Sequence, residues 1–510
     1  MLHGRVARPP SYGARLESVE PAPVEEMPGV VKVVRDGSFL GVVAEREEQA
    51  FAAVAELALL ARWKKGSELP PPDVDSWLRA APSRERVVHE TAGTREGKPA
   101  RTVEARYSKP YIAHASMGPS CAVAHETEGT LTVHSHSQGV FPLRGALSEV
   151  LGLPEEKIRV VHREGAGCYG HNGADDVACD AALLARAVPG KPVRVQWSRE
   201  DEFRWEPFGS AMSFDVRGGV DEEGRIAWWH YEVWSTPWST RPGREPGLLA
   251  AWHVAATPPG LRPFHTSRRG GGIDRNALPL YELPNQKIVE HYVPEMPLRV
   301  SALRALGGYG NVFVLECFID ELAAAAGADP VAFRLRHLED PRARAVIETV
   351  AKSETWNAPK KGDEKLKRGR GLGFARYKNT AAYIAVAARV AVDAETGELR
   401  VEKVSAAVDA GQVVNPDGLT NQIEGGVVQS VSWTTKEQVT FDRERVTSVD
   451  WAGYPILTFA DVPDVDVVLL DRPEEPSLGA GEAAQGPTAA AVANALYGAT
   501  GTRVRHLPLT

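Results

Sequence analysis

Three short stretches of the chain carry residues whose types and spacing suit chemistry. Near the C-terminus, PSLGAGEAAQGPTAAAVANAL sets one acid, Glu482, among glycines and alanines. A lone carboxylate beside a bulky ligand is a candidate general base. Small neighbours let such a ligand approach the backbone, and the helix expected next favours anions at its N-terminus. The plain alternative is a flexible loop. The second stretch, EGAGCYGHNGADD at 164–176, places Gly165, Gly167 and Gly170 in a GxGxxG pattern between an expected strand and an expected helix. That pattern suits a dinucleotide pyrophosphate. Here HNGAD separates the third glycine from the helix, and no acid closes a second strand about 20 residues on. A bland turn, or a loop that approaches some other bulky ligand, stays open beside the dinucleotide reading. The third stretch is HSHSQ at 134–138, which puts His134 and His136 on one face of a strand. With Cys168 and His171 they suggest zinc, but the spacing matches no recognised zinc motif.

The elements that must position these residues follow from local patterns. PGVVKVVRDGSFLGVVA at 28–44 reads as two strands around an Asp-Gly turn. EREEQAFAAVAELALLARW reads as a helix with acids in its first turn, and the Pro-rich, charged KKGSELPPPDVDSW as a linker. Farther on, LTVHSHS is a strand, PLRGALSEVLG a helix, KIRVVHRE a strand, DDVACDAALLARAV a helix and PVRVQWSRE a strand. Two hairpins, FDVRGGVDEEGRIAWWHYEVW around Gly224 and VAARVAVDAETGELRVEKVSAAVD around Gly397, echo each other and hint at two related α+β domains. A helix in LECFIDELAAAAG stops at Gly327 and a new one starts at Pro330. The tail helix has a start signal at Pro487 and a stop signal at Gly501.

Composition narrows the function classes. The formal net charge of −8 over 510 residues argues against a general nucleic-acid binder. No apolar run approaches the roughly 20 residues of a membrane span. The N-terminus has no apolar stretch after its basic residues, so it does not read as a secretory signal. A cytoplasmic protein is expected. The four cysteines, Cys121, Cys168, Cys179 and Cys317, are scattered. They do not group as an iron–sulfur cluster requires, and they argue against a disulfide scaffold.

Six blocks in order carry a resemblance: YSKPYIAHASMGPSCAVAH, HSHSQGVFPLRGAL, EGAGCYGHNGADD, RVSALRALGGYGNVFVLECFIDELA, NPDGLTNQIEGGVVQ and GAGEAAQGPTAAAVANAL. The chain resembles the molybdopterin-binding large subunits of the xanthine dehydrogenase/aldehyde oxidase superfamily, of the isoquinoline 1-oxidoreductase and nicotinate dehydrogenase type. The resemblance implies an α+β fold: a small N-terminal α/β hammerhead-like domain at 1–66, one strand short, a linker at 67–98, and two related molybdopterin-binding domains at 99–300 and 301–510.

It also implies a molybdenum hydroxylase that inserts water-derived oxygen at an electrophilic C–H carbon of an N-heteroaromatic or aldehyde, with hydride transfer to the molybdenum centre. The metal is held by a pterin dithiolene and by no protein ligand; the resemblance leaves open whether the cofactor carries a cytosine dinucleotide tail. Glu482, after Gly481, matches the base of the family's C-terminal GE motif. Gln138 matches the glutamine facing an oxygen of the molybdenum group. Tyr169 and Gly170 match the Phe-Gly of the family's glycine loop, which here also contains Gly167. Arg304, Ala305 and Leu306 match the segment flanking the centre, Gln422 a cofactor-contacting glutamine, and Arg275 a substrate-orienting arginine.

This chain is expected to hold neither iron–sulfur cluster nor flavin, so a [2Fe–2S] small subunit is implied, with an FAD-binding subunit as a further partner in a hetero-oligomer. The glycine loop departs from the family's GGxFGGK, and the Met-Gly-Gln-Gly cofactor loop has no clear counterpart. RALGGYG lacks the cysteine of the carbon monoxide dehydrogenase branch. Two rival readings are an inactive or orphan member of this family and a dinucleotide-dependent dehydrogenase using GAGCYG.

Overall fold

Left-handed glycines after apolar runs and prolines in first helical turns divide much of the chain into its elements. The computed structural model describes residues 1–66, 68–91, 99–238, 247–256, 272–358 and 365–509. The strands are β1 (Leu2–Val6), β2 (Arg15–Ser18), β3 (Val30–Asp36), β4 (Phe39–Ala44), β5 (Arg62–Lys64), β6 (Arg84–Glu90), β7 (Arg101–Lys109), β8 (Cys121–Thr127), β9 (Thr130–Ser135), β10 (Ile158–His162), β11 (Val193–Gln196), β12 (Met212–Val220), β13 (Ile226–Ser235), β14 (Gln286–Tyr292), β15 (Leu366–Arg376), β16 (Tyr383–Asp393), β17 (Leu399–Asp409) and β18 (Asp464–Leu469). The helices are α1 (Ala22–Glu25), α2 (Glu47–Leu60), α3 (Val74–Ala80), α4 (Val140–Leu151), α5 (Ala174–Arg186), α6 (Arg199–Trp205), α7 (Gly307–Ala326), α8 (Pro330–Arg336), α9 (Pro341–Val350), α10 (Glu354–Asn357), α11 (Pro416–Thr435) and α12 (Gln485–Thr500). Gly224 and Gly397 turn their hairpins at φ +70° and +77°, and Gly327 and Gly501 end their helices at +66° and +76°. Asp329 caps α8 by accepting from the Val331 and Ala332 N–H groups, with Pro330 behind it.

Two sheets share one strand pattern. In the order β6-β14-β13-β12-β7, strands β7, β12 and β13 run antiparallel in turn and β14 adds in parallel to β13. In the order β15-β16-β17-β18, the first three strands are antiparallel in turn and β18 adds in parallel to β17. The echo between the two hairpins is thus a repeat of four strands with the same directions. Each sheet packs a long helix: α7 against β7 and β12, and α12 against β15 and β16, with α7 against α12.

The two helices pack by different means. Helix α7 buries large side chains, with Phe313 edge-on to Tyr107 and Phe318 edge-on to Trp229; each such phenylalanine contributes about 1.5–3 kcal/mol by leaving water. Helix α12 is built of small residues and lies directly on a glycine stripe. A Cβ at Gly369, Gly371 or Gly373 would fall 2.1, 2.2 and 2.2 Å from the carbonyl oxygens of Ala495, Ala491 and Pro487. The small residues of the tail helix therefore serve backbone-to-sheet packing.

The N-terminal strands do not stand apart. The seven-stranded sheet has the order β10-β9-β8-β11-β1-β4-β3, with β1 parallel to β11 (Leu2↔Val193) and antiparallel to β4. Only β2 and β5 form a small sheet of their own. The expected linker at 67–98 also differs: its described part carries α3 and β6, and β6 pairs with β14. Proline-rich composition hides a strand whose partner lies far along the chain. Ser67 and residues 92–98 of that segment lie outside the described residues.

Candidate active site

Loops from distant parts of the chain meet at a cavity of about 340 Å³, within the range of small-molecule sites. Gln138, Tyr169, Gly170, Arg304, Gln422, Gly481 and Glu482 all line it, and Cys168, Ala302, Leu303 and Leu306 complete the wall. Gln138 comes from the turn between β9 and α4, Gln422 from the second turn of α11, and Glu482 from the loop before α12.

The glycine loop reaches the cavity by pairing with the segment before α7. The Tyr169 carbonyl accepts from the Arg304 N–H at 2.7 Å, and the Ala302 carbonyl accepts from the His171 N–H at 2.9 Å. Gly170 sits between these bonds at φ +136°, and a Cβ there would lie 1.8 Å from the Ala302 oxygen. Only glycine fits so close an approach at that φ. Gly167 lies behind the wall, where its carbonyl accepts from Ser116 Oγ at 3.2 Å and Asn172 Nδ2 at 3.3 Å. The loop, though it departs from the family's pattern, brings Tyr169 and Gly170 to the cavity.

Glu482 is held at both oxygens. Its Oε1 accepts from the Ala305 N–H at 3.1 Å, and its Oε2 from the Tyr377 hydroxyl at 2.8 Å. Ala305 and Leu306 adopt φ of +72° and +50°. Two successive non-glycine residues in the left-handed region are strained, as backbone at functional sites often is. The N-termini of α7 and α12, whose partial positive charge attracts anions, border the carboxylate. Arg304 braces the same loops: Nε donates to the Gly481 carbonyl at 2.8 Å, Nη2 to the Gln422 carbonyl at 3.0 Å, and Nη1 to Gln429 Oε1 at 3.3 Å. Burial pulls the Arg304 guanidinium down from its ordinary value, and Glu482 opposes that shift. With the Gln485 amide oriented to satisfy its neighbours, its nitrogen donates to the Glu482 carbonyl at 3.1 Å.

Arg275, expected to orient a substrate, is placed elsewhere. It is buried and donates from Nη1 to the Tyr377 hydroxyl at 2.6 Å, behind the cavity wall. Tyr377 is the residue that the sequence patterns did not single out. Its only local mark is the polar Tyr-Lys-Asn break between β15 and β16, which says nothing of a carboxylate distant in sequence. Burial, and next Glu482, raise the Tyr377 phenol, so it stays a neutral donor.

The histidines of the zinc reading do not assemble a site. His134 Nδ1 accepts from Arg163 Nε at 3.2 Å, His171 pairs with Asp175 at 2.7 Å, and the Cys168 thiol donates to the Gly170 carbonyl at 3.1 Å. Among the described residues no group of three His, Cys, Asp or Glu side chains is placed to hold a metal ion. An organic ligand is the other candidate occupant of this cavity. The wall suits one: it offers the neutral amides of Gln138 and Gln422 and the glycine backbone at Gly170 and Gly481, where a Cβ at Gly481 would meet only Gln422 Oε1 at 3.4 Å.

The fold is shared with solved oxidoreductases. Quinoline 2-oxidoreductase from Pseudomonas putida 86 superposes with a TM-score of 0.79 at 16% identity, covering 100% of this chain and 93% of that one. Two family models, each described as a molybdopterin cofactor-binding domain, match residues 88–237 and 321–463. A nicotinate dehydrogenase chain of Pseudomonas putida is 40% identical over all of this chain, which spans 44% of that relative's length. The beta chain of isoquinoline 1-oxidoreductase from Brevundimonas diminuta is 26% identical, again over 100% of this chain and 64% of the relative. The chain belongs to the molybdopterin-binding large subunits of the xanthine dehydrogenase/aldehyde oxidase superfamily.

Proposed function

We propose that this chain is the catalytic subunit of a molybdenum hydroxylase that places water-derived oxygen on an electrophilic C–H carbon of an N-heteroaromatic substrate. The observation that carries the reading is Glu482, fixed at both carboxylate oxygens on the wall of a cavity shared with Gln138, Arg304 and Gln422. The names of the two relatives support the substrate class; an aldehyde offers the same kind of carbon. When bound, molybdenum–molybdopterin supplies the redox chemistry. The amides of Gln138 and Gln422 and the backbone of Tyr169–Gly170 would hold it.

Glu482 then acts as general base, taking a proton from the attacking oxygen onto its carboxylate. The Ala305 N–H and Tyr377 hydroxyl keep that carboxylate oriented, so no reorganisation is needed when the proton moves. Arg304 ties the loop before α7 to the Glu482 loop and to α11, and so keeps the base and the cofactor-holding amides in one register.

The proposal includes the cytosine dinucleotide form of the cofactor, a [2Fe–2S] partner subunit with a further FAD-binding one, and a cytoplasmic location. Among the described residues no helix is long and apolar enough to cross a membrane. The cysteines support the [2Fe–2S] partner: Cys179 and Cys317 are buried, and the four do not group as a cluster requires. Expression in a molybdopterin-competent host and elemental analysis test the reading. About one molybdenum per chain is expected with a pterin, as one such centre serves each catalytic subunit. Stoichiometric zinc without molybdenum would overturn it.

A further inference from the structure

Behind the cavity, a short chain of donors ends on Glu482, and its direction can be read from the chemistry of its members. A guanidinium has only donors, so at 2.6 Å from Arg275 Nη1 the Tyr377 oxygen must accept. A phenol has one hydrogen. With Arg275 supplying the bond to the oxygen, Tyr377 directs its own hydrogen to Glu482 Oε2 at 2.8 Å. The order of donation is Arg275 to Tyr377 to Glu482.

Much of the surrounding backbone holds this chain in place. Asn276 sits at φ +60° and Lys378 and Asn379 at +56° and +55°. The Asn276 side chain accepts from the Lys378 N–H at 2.9 Å and donates to the Arg376 carbonyl at 2.8 Å, while Asn379 Nδ2 donates to the Leu278 carbonyl at 2.8 Å. From α7, Asn311 Nδ2 donates to the carbonyls of Ile273 at 2.7 Å and Arg275 at 2.8 Å, and Asn311 Oδ1 accepts from the Tyr231 hydroxyl at 2.7 Å. Three non-glycine residues in left-handed backbone persist only where the surroundings over-determine them. Neither Arg275 nor Tyr377 is on the cavity wall.

We propose that Tyr377 and Arg275 are positioning residues, a two-member strut that sets the direction of the Glu482 carboxylate. The assignment rests on Glu482 being the base. Other charged groups face that carboxylate: Lys378 Nζ lies 4.0 Å from Oε2 on a partly exposed pair, and Arg304 approaches from the segment before α7. Neither takes the place of Tyr377. At 4.0 Å the Lys378 ammonium is beyond hydrogen-bond distance of Oε2, whereas the Tyr377 hydroxyl is within it. The guanidinium of Arg304 is spent on Gly481, Gln422 and Gln429.

The test uses the full chain with carbon-13-labelled glutamate. Infrared difference spectra against Glu482→Gln identify the Glu482 carboxylate stretch. Tyr377→Phe keeps the ring and removes the hydrogen, so it should shift that stretch even in cofactor-free protein. In loaded enzyme it should lower kcat by about 10²-fold, the scale of a small misplacement of a reacting group, with KM near that of the parent. Arg275→Met should shift the same band through Tyr377, and Arg275→Lys, which keeps a donor, should restore part of both readouts. An unmoved band and unchanged kcat in Tyr377→Phe would overturn the strut while leaving the base reading intact. Should Tyr377→Phe not fold, the pair Arg275→Met and Arg275→Lys decides: no difference between them in band or kcat overturns the strut. Full turnover by cofactor-replete Glu482→Gln would instead overturn the base reading.

Discussion

The loop at 164–176 and the loop at 478–486 both run glycine-rich into a buried helix, and both carry acids in different company. Asp175 and Asp176 lie in the first turn of α5, and each meets one basic side chain. Asp175 pairs with His171, and Asp176 accepts from Arg299 through both nitrogens, at 2.6 and 2.9 Å. Glu482 lies on the cavity wall and is held by an amide N–H and a phenol. A carboxylate closed in a bidentate arginine pair is fixed by that pair, and breaking it leaves a buried charge. A carboxylate held by neutral donors keeps its orientation and retains acceptor capacity for a proton. The acids of these two loops thus differ both in partner and in burial: Asp176 is 1% exposed, the Glu482 side chain 33%.

The largest expected effect tests the reactive side of this contrast. Glu482→Gln should cost at least about 10²–10⁴-fold in turnover, roughly 3–5 kcal/mol of barrier, with molybdenum, pterin and melting temperature retained. Near-normal turnover at full cofactor content would place the base elsewhere. On the structural side, Asp176→Ala should leave Arg299 buried and unpaired and destabilise the fold by about 3–5 kcal/mol, read from the denaturation midpoint. If Asp176→Ala proves as stable as the parent, the distinction by partner fails.

Gly170→Ala probes the point where the two loop systems touch. Its Cβ would meet the Ala302 oxygen at 1.8 Å in backbone at φ +136°. Strain of about 1–3 kcal/mol should appear in the melting temperature, together with loss of turnover as the Tyr169–Gly170 segment moves off the wall. A crystal structure of the variant with that segment unmoved would refute this.

The last effect, read per unit of pH, concerns a buried charge with neutral partners on the cationic side. Lys109 Nζ donates to the carbonyls of Ser210 at 2.6 Å and Pro110 at 3.1 Å and faces the rings of Trp238 and Tyr309. Burial pulls it from 10.5 down to about 7. The unfolded chain therefore binds more protons between these values, so this group adds stability as pH rises through them and loses it as pH falls through 7. The stability of the parent relative to Lys109→Met should climb with pH by up to about 1.4 kcal/mol per unit in that window. A flat difference between the two melting curves over that range would show that Lys109 titrates normally.

Local rules made much of this molecule legible. The turn glycines Gly224 and Gly397, the helix stops at Gly327 and Gly501 and the start at Pro330 all depend on the backbone of one or two residues, so their positions follow from residue type. The setting of Glu482, a single acid ahead of a helix start, was visible for the same reason; of the residues that the ordered blocks singled out, Gln138, Tyr169, Gly170, Arg304 and Gln422 line the cavity with it, while Gly167, Ala305 and Arg275 do not. What lay outside the sequence patterns depended on partners distant along the chain. Nothing near Leu2 reveals that β1 lies beside β11, and the prolines before β6 conceal its pairing with β14. The glycines at 369, 371 and 373 show their purpose only when the backbone of α12 lies against them. Arg275 and Tyr377 become a pair with Glu482 only when α7 and α12 bring the loops before them together. Residue type and spacing settled which conformations and chemistries were available; packing between remote surfaces decided which side chains meet, because a hydrogen bond across the fold depends on tertiary position rather than on sequence neighbours.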